Sequence, residues 1–211
     1  MVCIDGRRIK GVRMNIQAIY DRRSIRKYKD TPVSEKMMEQ IIRAGQQAPS
    51  AKNRQPWKCI VFENNAKKEL LECMKCGLER EYKGKAVLPK SRFGLPDARH
   101  TLRIMRQAPV LLIILNTNGT SPFLPIDEDR RVSEICDSLS IGAFVQNMLL
   151  EAQSMGLGTL WIANTCFAYP ELMEYLQTGE QLVGAVALGY PDEEPAARPR
   201  KGLEEIVEWR I

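Results

Sequence analysis

The chain has 211 residues, with 31 Lys and Arg against 26 Asp and Glu, one histidine and a net charge of +5. That length suits a single domain with one substantial core, and the mild charge argues against a general nucleic-acid binder. No run of eighteen apolar residues is present, so no membrane span is expected, and the absence of an apolar signal core points to a cytoplasmic protein. Its six cysteines (Cys3, Cys59, Cys73, Cys76, Cys136 and Cys166) are then expected to be reduced thiols.

Residues 1–13 carry Arg7, Arg8, Lys10 and Arg13 with little apolar periodicity and read as a loose arm before a domain over 14–211. Ile16, Ile19 and Tyr20 suggest a short helix from Asn15 that delivers a basic cluster at its end. Pro32 breaks the chain, and Ser34 is a good N-cap for a helix running to about Gln47. Met38, Ile41, Ile42 and Gly45 give that helix one apolar face. Residues 48–57 form a shaped loop with two prolines, 59–62 a buried strand, and 67–76 a helix. Residues 77–95 are basic and broken by Gly84, Pro89 and Gly94, which reads as a mobile cover.

A helix over 97–107 and a buried strand over 110–115 follow, then a polar loop over 116–129 in which Asp127 and Asp129 read as solvating acids. The longest helical pattern covers 134–155, is apolar nearly all round and ends at Gly156, as a helix in a core or an oligomer interface does. Residues 159–162 read as extended, 171–176 as helix and 183–188 as strand. Residues 191–199 are turn-rich, and the apolar pattern of 203–211 is compatible with a closing strand.

Arg22-Arg23-Ser24-Ile25-Arg26-Lys27-Tyr28 packs four cations and a hydroxyl into a few residues. Guanidinium forks match phosphate oxygens bidentately and a serine hydroxyl adds a neutral donor, so Arg22, Ser24 and Arg26 form a candidate anion site. The bland alternative is a solvated, charged helix end. Elsewhere the chain has few side chains for hard chemistry. His100 has no motif around it and reads as a surface residue. Cys73 and Cys76 form a C-x2-C on a helix pattern without a second pair, so no metal site is expected. Neither a dinucleotide-binding glycine fingerprint nor a phosphate-loop motif occurs. Such a chain is either a binding protein or one that takes its chemistry from a cofactor.

Four segments, in order and spanning nearly the whole chain, resemble the nitroreductase family of FMN-dependent oxidoreductases. They are RRSIRKY (22–28), APSAKNRQPW (48–57), MGLGTLWIA (155–163) and GYPDEEPAARPRK (189–201). The resemblance implies an α+β fold, a mixed central sheet wrapped by helices, in a homodimer with FMN at the interface. The long apolar helix would serve that interface, and the end segment around Trp209 would cross to the partner's sheet. By the same resemblance Arg22, Ser24 and Arg26 hold the FMN phosphate and ribityl chain, Arg23 adds charge, and Arg198 and Arg200 reach the same phosphate. Pro49, Ser50, Ala51 and Asn53 lie along the isoalloxazine edge. Trp161, Ile162 and Ala163 pass the reactive edge, where a backbone N–H meets N5; core packing is the competing reading for Trp161. No side chain is implied as catalytic, although Arg26 is the candidate for a positive field near N1.

The implied activity passes hydride from a transient NADH or NADPH through flavin N5 to a small acceptor such as a nitroaromatic or quinone. Reductive dehalogenation and flavin cleavage in cofactor biosynthesis are alternatives on the same fold. A basic module binding RNA or another polyanion is the alternative from a different class, disfavoured because Tyr28 is the one aromatic in either basic cluster.

Overall fold

The computed structural model describes residues 16–211 and the backbone of a two-residue antiparallel ladder, β1 (Cys3–Ile4) with β2 (Arg7–Arg8). The loose arm expected over 1–13, like the helix start at Asn15, otherwise lies outside the described residues. Helix α1 (Gln17–Asp21) is short and buries none of its side chains. Helix α2 (Glu35–Gln46) starts where the sequence predicts, with the Ser34 hydroxyl accepting the Met37 N–H at 3.4 Å. Strand β3 (Trp57–Phe62), helix α3 (Asn64–Tyr82), helix α4 (Leu95–Gln107) and strand β4 (Val110–Asn116) follow. Helix α5 (Glu128–Ser154), strand β5 (Gly158–Ile162), helix α6 (Tyr169–Leu176) and strand β6 (Gln181–Gly189) complete the set.

The sheet runs β3-β4-β6-β5 and every pairing in it is antiparallel. Its mixed character comes down to one parallel bridge, Ser24 with Thr159. β4 sits inside the sheet, and its residues alternate between two cores as the strand period of two requires. Leu111, Ile113 and Leu115 pack with Leu70, Met74 and Met105 from α3 and α4. Val110, Leu112 and Ile114 pack with Ile41, Phe144 and Met148 from α2 and α5. Helices therefore cover both faces, which is why β4 reads as an unbroken apolar run. β3, by contrast, is an edge strand and only half-buried, because one side of it has no neighbour.

Three expectations are corrected. The stretch from Gly77 is not all cover: α3 continues to Tyr82, with Gly77, Leu78 and Glu81 buried. A Cβ on Gly77 would stand 2.4 Å from that of Ala168, so the glycine allows α3 to pack closely there. Asp127 does more than solvate a loop: its carboxylate accepts the Arg130 N–H at 2.8 Å and caps α5, with Glu128 and Asp129 in the first turn. Negative charge at a helix N-terminus meets unpaired N–H groups and the positive dipole end. Finally, the chain end forms one 3-10 turn, Leu203–Glu205, and no strand. Leu203, Ile206 and Trp209 remain largely exposed.

Candidate functional site

The arginine loop is held by its two apolar members. Ile25 and Tyr28 are buried, while the cations between and around them stay nearer the surface. The Ile25 N–H donates to the Thr159 carbonyl at 2.9 Å, and the Tyr28 hydroxyl donates to the Ile25 carbonyl at 2.9 Å. At the far end, Lys29 N–H bonds the Tyr190 carbonyl and Asp192 N–H bonds the Lys27 carbonyl. The loop is thus clamped between the start of β5 and the residues just after β6.

Those clamps bring the two basic clusters together. Arg22, Arg23, Ser24 and Arg26 line one small hollow with Arg198 and Arg200, closed by Pro195 and Ala196. The hollow has a volume of about 60 Å³, enough for a small anionic group. Among the described residues, none of these five arginines forms an ion pair with a carboxylate. Partial burial, then the guanidiniums of Arg200 and Arg23, pushes the Arg22 pKa below its ordinary value. Clustered cations without a counter-charge favour an incoming anion. Arg23 donates to the carbonyls of Tyr20 and Arg22 at 2.6 and 2.9 Å, and Arg26 to that of Ser24 at 3.1 Å.

The third predicted segment lies on the same sheet edge. β5 is the outer strand, and its alternation points the Thr159 carbonyl outward to Ile25. Two residues on, the N–H and C=O of Trp161 turn to the same open side. Trp161 is 36 % exposed, unlike the buried Leu160 and Ile162 on either side of it. Ile162 is buried, so its side chain belongs to the core, and Ala163 is exposed at the strand end.

Residues 49–53 are elsewhere. The Ala51–Asn53 turn precedes β3, on the edge opposite β5, three strand spacings or about 14 Å away. The Ala51 N–H donates to the Ser140 hydroxyl on α5, whereas the cleft beside Arg23 and Ile25 is lined by Gln153. Thirteen residues of helix separate those points, about 20 Å. Within one chain, then, Pro49, Ser50, Ala51 and Asn53 do not meet the arginine hollow.

Sequence reasoning missed what holds this second loop. Lys52, Asn53 and Gln55 have φ of 54°, 53° and 48°, in the left-handed region that non-glycine residues adopt at a cost. Asp137 on α5, 3 % exposed, accepts from Arg54 at 2.7 and 3.0 Å. Ser50 accepts the Gln55 N–H at 3.1 Å. The signal to look for was an acid on the buried face of the long helix, and Asp137 is one. Glu193 was missed too; its carboxylate accepts the backbone N–H groups of Arg26 and Lys27.

Comparison with known proteins identifies the family. A nitrobenzene nitroreductase of Ectopseudomonas oleovorans is 30 % identical, the match covering 82 % of this chain and 85 % of that one. An FMN reductase [NAD(P)H] of Bacillus subtilis is 27 % identical over 90 % of this chain and 71 % of its own. A nitroreductase-type structure from Desulfovibrio desulfuricans, solved with FMN, superposes with a TM-score of 0.68 at 26 % identity, covering 93 % of this chain and 96 % of its own. Residues 19–190 match the model of the nitroreductase family, and the chain belongs to that family.

Proposed function

We propose that this chain is a cytoplasmic, homodimeric FMN-dependent oxidoreductase that uses NADH or NADPH to reduce a small acceptor such as a nitroaromatic or a quinone. The observation that carries the reading is the hollow in which five arginines and Ser24 converge, with no ion-paired carboxylate among the described residues. An FMN phosphate suits that donor set, because a dianion drawn partly out of water requires more than one cation. FMN held by Arg22, Ser24, Arg26, Arg198 and Arg200 would supply the redox chemistry between nicotinamide and acceptor.

The chain's own residues then have separable tasks. Arg22, Arg26, Arg198 and Arg200 neutralise the phosphate, and Ser24 contributes a hydroxyl donor. Arg23, its guanidinium already engaged with two carbonyls, adds charge more than a free fork. The outward N–H of Trp161 offers a donor at the open edge for the polar rim of the ring. Trp161 and Ala163 shield that edge from water, and Arg26 contributes positive potential beside it.

Pro49, Ser50, Ala51 and Asn53 enter from a second copy. Helix α5 presents an exposed line, Ile135, Leu139, Gly142 and Gln146, along its outer face, with half-buried Leu150 beyond it. Ile135 and Leu139 are 54 % and 71 % exposed, and a Cβ on Gly142 would meet nothing within 4 Å. A two-fold axis crossing α5 near Gln146 would set one chain's Ser140 level beside its partner's Gln153 level. Such an axis would bring each 49–53 loop over the other chain's hollow. The apolar chain end, from Leu203 to Trp209, is the segment available to cross as well.

The test is the double variant R22A/R26A. It should purify with little flavin and lose NAD(P)H oxidation with a nitroaromatic or quinone, while keeping its fold by circular dichroism. A folded double variant fully loaded with FMN would overturn the assignment. Running a halogenated phenol as acceptor separates reduction of nitro groups from reductive dehalogenation.

A further inference from the structure

Glu193 lies on the segment that leads from β6 to Arg198 and Arg200, yet its carboxylate points back to the arginine loop. Its Oε1 accepts the backbone N–H of Arg26 and, at 3.2 Å, that of Lys27. The side chain does not line the hollow. It lines the neighbouring cleft, together with Asp21, Ile25 and Gly158. The carboxylate therefore sits in a cleft that adjoins the hollow, Arg23 and Pro195 lining both, and it contacts the loop through backbone.

We infer that Glu193 is a positioning residue that braces the Arg22–Arg26 loop against the 195–200 strap, so that both halves of the hollow close on one phosphate. This rests on reading the hollow as a phosphate site. Backbone bonds clamp the loop at Ile25 and again at Lys27 and Lys29, so between them only Glu193 holds the Arg26 amide. A carboxylate accepting two N–H groups makes charge-assisted bonds, stronger than those of a neutral acceptor. The strap is tied to the same carboxylate through its own chain: Pro195 and Ala196 follow within three residues and wall the hollow.

The brace has a second consequence. With the N–H groups of Arg26 and Lys27 taken by Glu193, the loop offers its anion few backbone donors, unlike a helix N-terminus or a backbone nest. Binding then depends on guanidiniums and the Ser24 hydroxyl, whose geometry is set by how firmly the backbone is held. Losing the brace should loosen Arg26 and the strap arginines together.

The experiment uses wild type, E193A, E193Q, R200A and E193A/R200A. Amide hydrogen exchange over 24–28 is followed in protein stripped of flavin, and FMN affinity is measured by fluorescence titration. E193A should raise exchange at Arg26 and Lys27 and weaken FMN binding about tenfold, in line with loss of charge-assisted bonds. E193Q, which keeps an acceptor oxygen but not the charge, should fall between E193A and wild type in both. Adding R200A to E193A should cost much less than R200A alone, because the strap is already loose. Unchanged exchange in E193A, or two losses that multiply, would overturn the brace. Failure of wild type to bind FMN would instead overturn the phosphate reading, and the exchange data would still decide the brace.

Discussion

The Ile25 N–H donates to the Thr159 carbonyl at 2.9 Å, and through that bond the arginine loop extends the open edge of the sheet. One chain edge therefore carries both an anion hollow and, two residues along β5, the outward backbone of Trp161. Gly158 lets the two segments approach: a Cβ there would lie 2.7 Å from Ile25 Cγ1 and 2.9 Å from its Cβ. G158V should overpack this contact, destabilise the fold by about 1–3 kcal/mol and weaken FMN retention. Thermal unfolding with and without added FMN checks it; a variant as stable and as well loaded as wild type would contradict the contact.

A site shared between chains predicts complementation. R22A/R26A lacks a hollow and S50A/N53A lacks a loop, so each homodimer should be nearly inactive. Mixed by co-expression, half the dimers are heterodimers with one intact site in two, and activity should return to about a quarter of wild type. No recovery from heterodimers of confirmed composition would mean that the 49–53 loop serves its own chain.

Asp137 is expected to matter more than its distance from the hollow suggests. It pairs with Arg54 at 2.7 Å and also accepts from the Asn118 amide at 3.4 Å, holding a loop with three left-handed non-glycine residues. D137A should cost about 2–3 kcal/mol, less than for a fully buried pair, because the Arg54 side chain is 30 % exposed. Denaturant unfolding measures the loss. The same variant should lower flavin loading without changing the arginine loop of its own chain.

Thiol reactivity gives a pH-dependent check on the packing. Burial pushes the Cys59 thiol up to about 12, and it also raises those of Cys73 and Cys166. The thiolate is the nucleophile, so a raised pKa leaves Cys59 nearly unreactive at pH 8, its rate climbing about tenfold per pH unit toward 12. Cys76 is exposed and should be alkylated first among the thiols of the described residues. Mass spectrometry after brief iodoacetamide treatment reads the order; early labelling of Cys59 would contradict the packing of β3 against α2 and α5.

Much of this was legible in the residues because local physics decided it. The Ser34 cap, the apolar run of β4, the glycine ending α5 and the two basic clusters each carry their cause within a few positions. What escaped depended on distant partners. Residues 77–82 looked like part of the cover until α3 was found to run through them, with Ala168 packed against Gly77. Asp127 looked like loop solvent until α5 began one residue later. The separation of 49–53 from the arginine hollow follows from strand order, which no local pattern encodes. Leu203, Ile206 and Trp209 have the composition of a strand but find no sheet edge within their own chain.

The most direct measurement is the visible absorption spectrum of the purified protein, with the chromophore identified after heat release. The account predicts a yellow protein that releases FMN at about one per chain, bleaches on adding NADH or NADPH, and recovers colour when a nitroaromatic or quinone follows. A colourless protein that also fails to take up added FMN would contradict it, and the arginine hollow would then serve some other anion.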